Sequence, residues 1–175
     1  ANNLTFSCTS IKFHNPVQRA YYNSNIQNNT TMSTGITCDE EVTVSFNGLK
    51  LQTGGYKGCK YITYKINDEK TNIVVDTVGE VGKGYDDFLE TLPGNDCRYA
   101  VVDIDVETSD GRETSKLVFI SWVPDTCNVR SKMMYAGSKE TLKVCLTGLG
   151  IHHNANDYAD LDFETCIKPA VLKFV

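Results

Sequence analysis

The segment RYAVVDIDVE, Arg98 to Glu107, constrains the fold more than any other part of the chain. Its side chains alternate. Ala100, Val102, Ile104 and Val106 fall on one face of an extended strand, and Tyr99, Asp103, Asp105 and Glu107 on the other. Asp110-Gly111 then marks a turn, and KLVFISW returns as the partner strand. That partner is apolar nearly throughout, so it must be central and covered on both faces.

The flanking segments supply the cover. Thr37-Cys38-Asp39-Glu40 has the spacing of a capping box, and Val42, Phe46 and Leu49 follow at i, i+4 and i+7, so a helix starts there. Gly54-Gly55 is its expected stop. KYITYKI places Ile62, Tyr64 and Ile66 on one strand face, NDEK turns the chain, and NIVVDTV completes a hairpin. YDDFLETL reads as a short helix ended by Pro93-Gly94. A long helix follows the central hairpin, IHHNAN reads as a last short strand, and LDFETCIKPA ends the fold as a helix. Its stripe is Phe163, Cys166, Ile167 and Ala170. The order is helix, two strands, helix, two strands, helix, strand, helix. It predicts an α/β (α+β) fold: a central mixed five-stranded sheet flanked by helices on both faces. No internal repeat is present.

Residues 1–31 differ from the rest. They are rich in Asn, Ser and Thr without a sustained period, as in YYNSNIQNNTTMSTG, and predict a polar, flexible arm ahead of a folded domain over 32–175. Met32 is a candidate start residue, with the arm as preceding sequence. No apolar run approaches membrane-spanning length, and the N-terminus has no apolar signal core. The formal net charge of −5 argues against a general nucleic-acid binder. Seven scattered cysteines without a CxxC pair argue against a zinc site and predict reduced thiols in a cytosolic protein. His152 and His153 point to opposite faces of a strand and cannot easily share a metal. Asp103 and Asp105 share a strand face, but no neighbour is indicated that would split their pKa values for acid–base work. Gly79, Gly82 and Gly84 lack the spacing of a nucleotide loop. Nothing points to an enzyme, a metal or a cofactor.

The long helix stands out. It lies in VPDTCNVRSKMMYAGSKETLK, Val123 to Lys143, and no acid occurs between Asp125 and Glu140. Lys132, Lys139 and Lys143 fall at i, i+7 and i+11, in one narrow stripe. Pro124 and Asp125 set a sharp entry. Ala136-Gly137-Ser138 lowers helix propensity and allows a bend or a close backbone approach. Two readings fit: a core helix with a solvated lysine edge, or a docking face for a partner with an acidic rim and an apolar cleft.

Trp122 to Glu140, WVPDTCNVRSKMMYAGSKE, closely resembles the signature of the actin-depolymerising factor/cofilin family. MSTGITCDEEV…FNGLKL resembles its N-terminus and first helix, LPGNDCRYAVVD its entry to the third strand, and LTGLG followed by NANDYADLDFET its end. The resemblance runs from about Ser33 to Phe174. It implies a single domain of the actin-depolymerising factor homology type, gelsolin-like in architecture, without catalytic residues. It also implies binding to monomeric and filamentous actin, preference for the ADP form, and promotion of depolymerisation. By the same resemblance, Ser33, Thr34, Gly35, Arg130, Lys132, Met133 and Lys139 meet the monomer, and Ser33 is a phosphorylation candidate. A second surface, for filaments, would use Arg112, Lys116 and Lys168. Phosphoinositide headgroups at the basic helix, a monomeric state, a cytoplasmic location on the actin cytoskeleton and nuclear entry are further implications. The alternative is an adaptor of the same fold, like coactosin or glia maturation factor, that binds filaments or another actin regulator without depolymerising.

Two departures from the family pattern bear on this. The last helix carries Lys168-Pro169-Ala170-Val171-Leu172 where relatives often have an acid followed by basic residues, and Pro169 is expected to break or kink it. The 1–32 segment precedes a serine that in relatives lies almost at the free terminus. Severing is therefore expected to be modest.

Overall fold

Strand β4, Arg98–Glu107, pairs antiparallel with β5, Glu113–Trp122, without a break from Arg98↔Trp122 to Glu107↔Glu113. These are the two strands the alternation demanded. The computed structural model containing them describes residues 35–175. The polar 1–31 segment, Ser33 and Thr34 lie outside the described residues.

Strand β2, Tyr61–Ile66, pairs antiparallel with β4 and with β3, Asn72–Val78, the latter with a bulge at Thr63/Tyr64. Strand β6, Ile151–Ala155, joins the far side of β5 in parallel. The crossover from β5 to β6 is made by helix α3, Val129–Cys145. A parallel neighbour needs such a crossover, whereas the antiparallel β2–β3 and β4–β5 pairs close through turns.

The sheet has six strands, in the order β1-β3-β2-β4-β5-β6, rather than the five expected. The extra strand is β1, Thr37–Cys38, parallel to β3 through Thr37↔Asn72 and Cys38↔Ile73. These residues were expected to start a helix. Thr37 instead donates its N–H to the Thr71 carbonyl and accepts from the Asn72 amide through its hydroxyl. The cap of helix α1, Glu40–Leu51, is Asp39, whose carboxylate accepts from the Glu41 N–H at 3.0 Å. A two-residue strand is too short to show alternation, so sequence pattern cannot reveal it.

Helix α1 ends at Leu51, before Gly54-Gly55. Gln52 takes the left-handed cap conformation at φ 50. Its side chain donates to the Leu49 and Cys59 carbonyls and accepts from the Gly58 N–H. Those bonds offset the roughly 1–2 kcal/mol cost of that backbone in a non-glycine residue.

Each sheet face carries its own core. On one side Ile62, Tyr64, Ile66, Tyr99, Val101 and Phe119 pack against α1 and α3. On the other, Ala100, Val102, Ile104, Val118, Ile120 and Trp122 pack against Phe88 of helix α2, Tyr85–Thr91, and Val171 of helix α4, Lys168–Leu172. The expected two-sided cover is present, and β5 is interior, between β4 and the edge strand β6.

The last segment departs from a regular helix, as expected around Pro169. Residues Phe163–Ile167 form a widened π turn in which the Lys168 N–H donates to the Phe163 carbonyl. Pro169 then sits in the first turn of α4. The widened turn consumes an extra residue and shifts the buried stripe. Ile167 and Val171 are buried, whereas Phe163, Cys166 and Ala170 are only partly covered. Among the described residues no helix is long and apolar enough to cross a membrane.

Candidate functional site

Helix α3 is entered through a turn in which the Cys127 N–H donates to the Pro124 carbonyl. Asn128 caps it, its side-chain carbonyl accepting from the Ser131 N–H at 2.8 Å. The inner face is fixed by polar bonds as well as packing. The Tyr135 hydroxyl accepts from the Ile66 N–H on β2 at 3.0 Å. The Tyr99 hydroxyl on β4 donates to the Tyr135 carbonyl and lies 2.9 Å from the Ser138 hydroxyl, which donates to the Met134 carbonyl. Burial pushes the Tyr135 phenol up to about 12, so it stays neutral.

Ser138 is fully buried. It marks the close approach anticipated at Ala136-Gly137-Ser138: a small side chain lets the helix settle on Tyr99. The helix itself runs unbroken through that step.

The outer face fits the docking reading rather than a plain lysine edge, since its crest is apolar. Val129, Met133, Ala136, Glu140 and Val144 are exposed, at i, i+4, i+7, i+11 and i+15. Met133 is 69% exposed and Val129 73%. Large apolar side chains this open are costly to leave in water, so the crest is a docking candidate. Val129 and Val144 were not singled out by sequence reasoning. Their shared spacing with Met133 was the available signal.

The lysines flank this crest. Lys132 pairs with Asp125 at 3.1 Å, and Lys143 with Glu140 at 3.0 Å. Lys139 turns toward β6 and donates to the Asn154 side-chain carbonyl. Burial, together with the neighbouring Lys143, lowers its pKa. Arg130 is exposed and has no ion-pair partner among the described residues. Gly35 lies two residues before β1, at φ 68. The Cys38 thiol of β1 lies 3.7 Å from the Thr141 carbonyl, so this strand runs beside α3.

The other candidates lie on the opposite face. Arg112 sits at the β4–β5 turn, its Nε donating to Asp110 at 2.7 Å. Lys116 pairs with Ile104 in the ladder and shares its face, on which α4 packs. Lys168 begins α4 and is paired with Glu164 at 2.7 Å. The hairpin end and α4 thus form a second region, across the sheet from α3.

The residues considered for chemistry are engaged elsewhere. Asp103 and Asp105 both bind Lys60, at 3.3 and 2.8 Å, a lysine the sequence had not indicated. This triad borders an open cleft of about 370 Å³ whose other cation, Lys83, is held by Asp87. His153 Nε2 lies 2.6 Å from the Asp160 carbonyl, and His152 meets the Phe119 ring edge-on. Among the described residues no cluster of three or more His, Cys, Asp or Glu is arranged to hold a metal.

Comparison with known proteins agrees with this architecture. The family model described as cofilin/tropomyosin-type actin-binding protein matches residues 35–169. A cofilin of Yarrowia lipolytica is 45% identical over 141 residues, covering 79% of this chain and 89% of that protein. Actin-depolymerizing factor 1 of Oryza sativa subsp. japonica is 39% identical, covering 75% of this chain and 92% of that protein. The crystal structure of a Streptomyces griseoflavus cofilin superposes with a TM-score of 0.67 at 32% identity, covering 79% of this chain and 96% of that one. With its central hairpin, its two-sided core and its exposed helix crest, the chain belongs to the cofilin/actin-depolymerising factor family.

Proposed function

We propose that this protein binds monomeric and filamentous actin and promotes filament depolymerisation and turnover, by binding rather than catalysis. The observation that carries the reading is the open apolar crest of α3 beside Arg130, which has no ion-pair partner among the described residues. Met133 and Val129 are the apolar anchors, and Arg130, with Lys132 and Lys139 beside it, meets an acidic rim. Buried apolar anchors hold a complex, and surrounding charge steers and orients it. By resemblance to the family, Ser33, Thr34 and Gly35 also meet actin. Phosphorylation of Ser33 would add negative charge facing an acidic partner and weaken the contact. Arg112, Lys116 and Lys168 contribute the second, filament-specific contact.

Preference for ADP-actin, a monomeric state, residence in the cytoplasm with passage to the nucleus, and competition by phosphoinositide headgroups at Lys132, Lys139 and Lys143 complete the reading. The adaptor alternative predicts filament binding without loss of polymer.

Filament pelleting and fluorescence of labelled monomers decide between them, run on chains starting at Ala1 and at Ser33. Depolymerisation with tight monomer binding is expected, weakened in Ser33→Glu. No effect on either monomers or filaments from either chain ends the actin reading. Stronger activity from the shorter chain assigns an obstructing role to the 1–32 segment.

A further inference from the structure

Two thiols meet where α3 begins. Cys97 is the residue before β4, and Cys127 is the residue before the Asn128 cap of α3. The Cys97 thiol donates to the Cys127 sulfur at 3.4 Å, and both side chains are buried. The segments that carry them are held together by other bonds. Trp122 Nε1 donates to the Pro93 carbonyl at 2.8 Å, and the Thr126 hydroxyl donates to the Gly94 carbonyl. The Cys97 N–H is held by the Asp96 carboxylate at 2.9 Å, and the Cys127 N–H by the Pro124 carbonyl at 3.0 Å. The sulfurs thus face each other across backbones that are fixed independently of them. A closure of roughly 1.3–1.4 Å would bring them to the S–S bond length of about 2.05 Å. The Cys38, Cys59 and Cys166 thiols turn instead toward backbone carbonyls, those of Thr141, Gly55 and Ala159.

Within the pair the two sulfurs differ. Cys97 is fully shielded, whereas Cys127 keeps 7% of its surface open in the turn ahead of α3. Cys127 also accepts the S–H bond, and a donated hydrogen bond favours the charged form of the group that receives it. Burial and the neighbouring Cys127 push the Cys97 thiol up to about 12. Cys127 is therefore the sulfur that an oxidant meets first. So small an opening favours a reagent near the size of water over a bulky peptide disulfide.

We propose that Cys97 and Cys127 form a redox lock, which a small hydroperoxide closes into an internal disulfide that fastens the entry of α3 to β4. In the first step the Cys127 sulfur attacks a peroxide oxygen. An S–O bond forms and the O–O bond breaks. Cys127 is oxidised by two electrons to the sulfenic acid, and the peroxide is reduced to water or an alcohol, which takes up the thiol proton. In the second step the Cys97 sulfur attacks the Cys127 sulfur and the S–O bond breaks. The hydroxyl leaves with the Cys97 proton as water, and the disulfide remains. The sulfurs are already in contact, and that proximity offsets the small thiolate fraction of Cys97. The two residues are 30 positions apart, and a cross-link over such a loop stabilises mainly by restricting the unfolded chain. The lock stands on the sulfur geometry and does not depend on the actin reading.

The test treats the full chain with hydrogen peroxide under native conditions, alkylates the remaining thiols in denaturant and maps all seven cysteines by mass. The expected disulfide within one chain is Cys97–Cys127, lost on treatment with dithiothreitol. Its formation should raise the thermal midpoint by about 5 °C or more, and reduction should restore the starting value. In Cys97→Ser, dimedone should trap a sulfenic acid on Cys127. Cys97 and Cys127 that both remain alkylatable after Cys38, Cys145 and Cys166 have been oxidised overturn the proposal. So does a disulfide that joins either of them to a different cysteine. A Cys97–Cys127 bond that leaves the midpoint unchanged, or lowers it, overturns the lock. Mapping and melts on the unmutated chain decide the matter even if the variant folds poorly.

Discussion

Arg130 carries the sharpest expectation at the scale of single residues. Its guanidinium is exposed with no carboxylate partner among the described residues, whereas Lys132 must leave Asp125 before it can meet another acid. With no ion pair to break among the described residues, Arg130 is the readier of the two to bind. Arg130→Ala should therefore weaken monomer binding by at least about tenfold, roughly 1.4 kcal/mol, and Lys132→Ala by less. The double variant should lose most binding, as pairs buried at an interface contribute several kcal/mol. Neither side chain belongs to a core cluster, so the thermal midpoint should hold. Titration of labelled monomer beside a circular-dichroism melt separates affinity from folding. A folded double variant with parental affinity would refute the assignment of α3. Met133 was legible from sequence, but its openness was not, because pattern gives the angle of a residue on a helix and not what lies above it. Tyr99 shows the converse. Alternation set it on the face of Asp103 and Asp105, yet it is fully buried under Ser138 and Tyr135. Only the crossing of α3 over that end of β4 makes it a core residue.

Among elements, the three strands β3, β2 and β4 are joined by one carboxylate. Asp76 on β3 accepts from Lys65 on β2 at 3.0 Å and from Arg98 Nε on β4 at 2.9 Å. Burial alone would raise its pKa. The bonds from Lys65 and Arg98 outweigh burial and hold it below the ordinary carboxylate value. A depressed folded pKa stabilises the protein above the unfolded carboxylate range, and that stabilisation is lost as the pH falls through the folded value. Asp76→Asn should cost about 1–2 kcal/mol at neutral pH and flatten the fall of melting temperature on acidification. An acid limb as steep as the parent's would mean that other carboxylates carry it. This triad was invisible in sequence, since its members are brought together by strand order rather than spacing. The strands themselves were legible where four or more residues alternated, as in β2 and β4, or where the run was nearly all apolar, as in β5. What escaped was short or irregular: the two-residue β1, the Gln52 cap held by its own side chain, and the π turn before Pro169. Strand β1 depends on a distant partner strand and the other two on particular local bonds, none of them a repeat that sequence pattern can show.

For the whole molecule, the decisive fact is that the two candidate surfaces lie on opposite faces of the sheet. The α3 crest combines apolar side chains with a cation that has no ion-pair partner among the described residues, and both features favour a tight, partly buried contact. The second region exposes apolar side chains at Leu172 and Phe174, but most of its named cations are engaged. Arg112 is engaged by Asp110 and Lys168 by Glu164, leaving Lys116 as the one of its three named cations without an ion-pair partner among the described residues. Pro169 and the widened turn before it also shorten the regular helix to Lys168–Leu172. Exposed charge contacts contribute about 0.2–1 kcal/mol each and are screened by salt. Monomer binding should then rest mainly on α3 and resist salt, whereas filament binding, which adds the second region, should be weaker and fall steeply as salt rises. Severing should be modest beside depolymerisation. Imaging of single filaments across a salt series, alongside monomer titration in the same buffers, measures both. If vigorous severing persists at near-physiological salt and low protein concentration, the hairpin end suffices on its own. In that case Lys116→Ala should abolish the severing and leave monomer affinity unchanged.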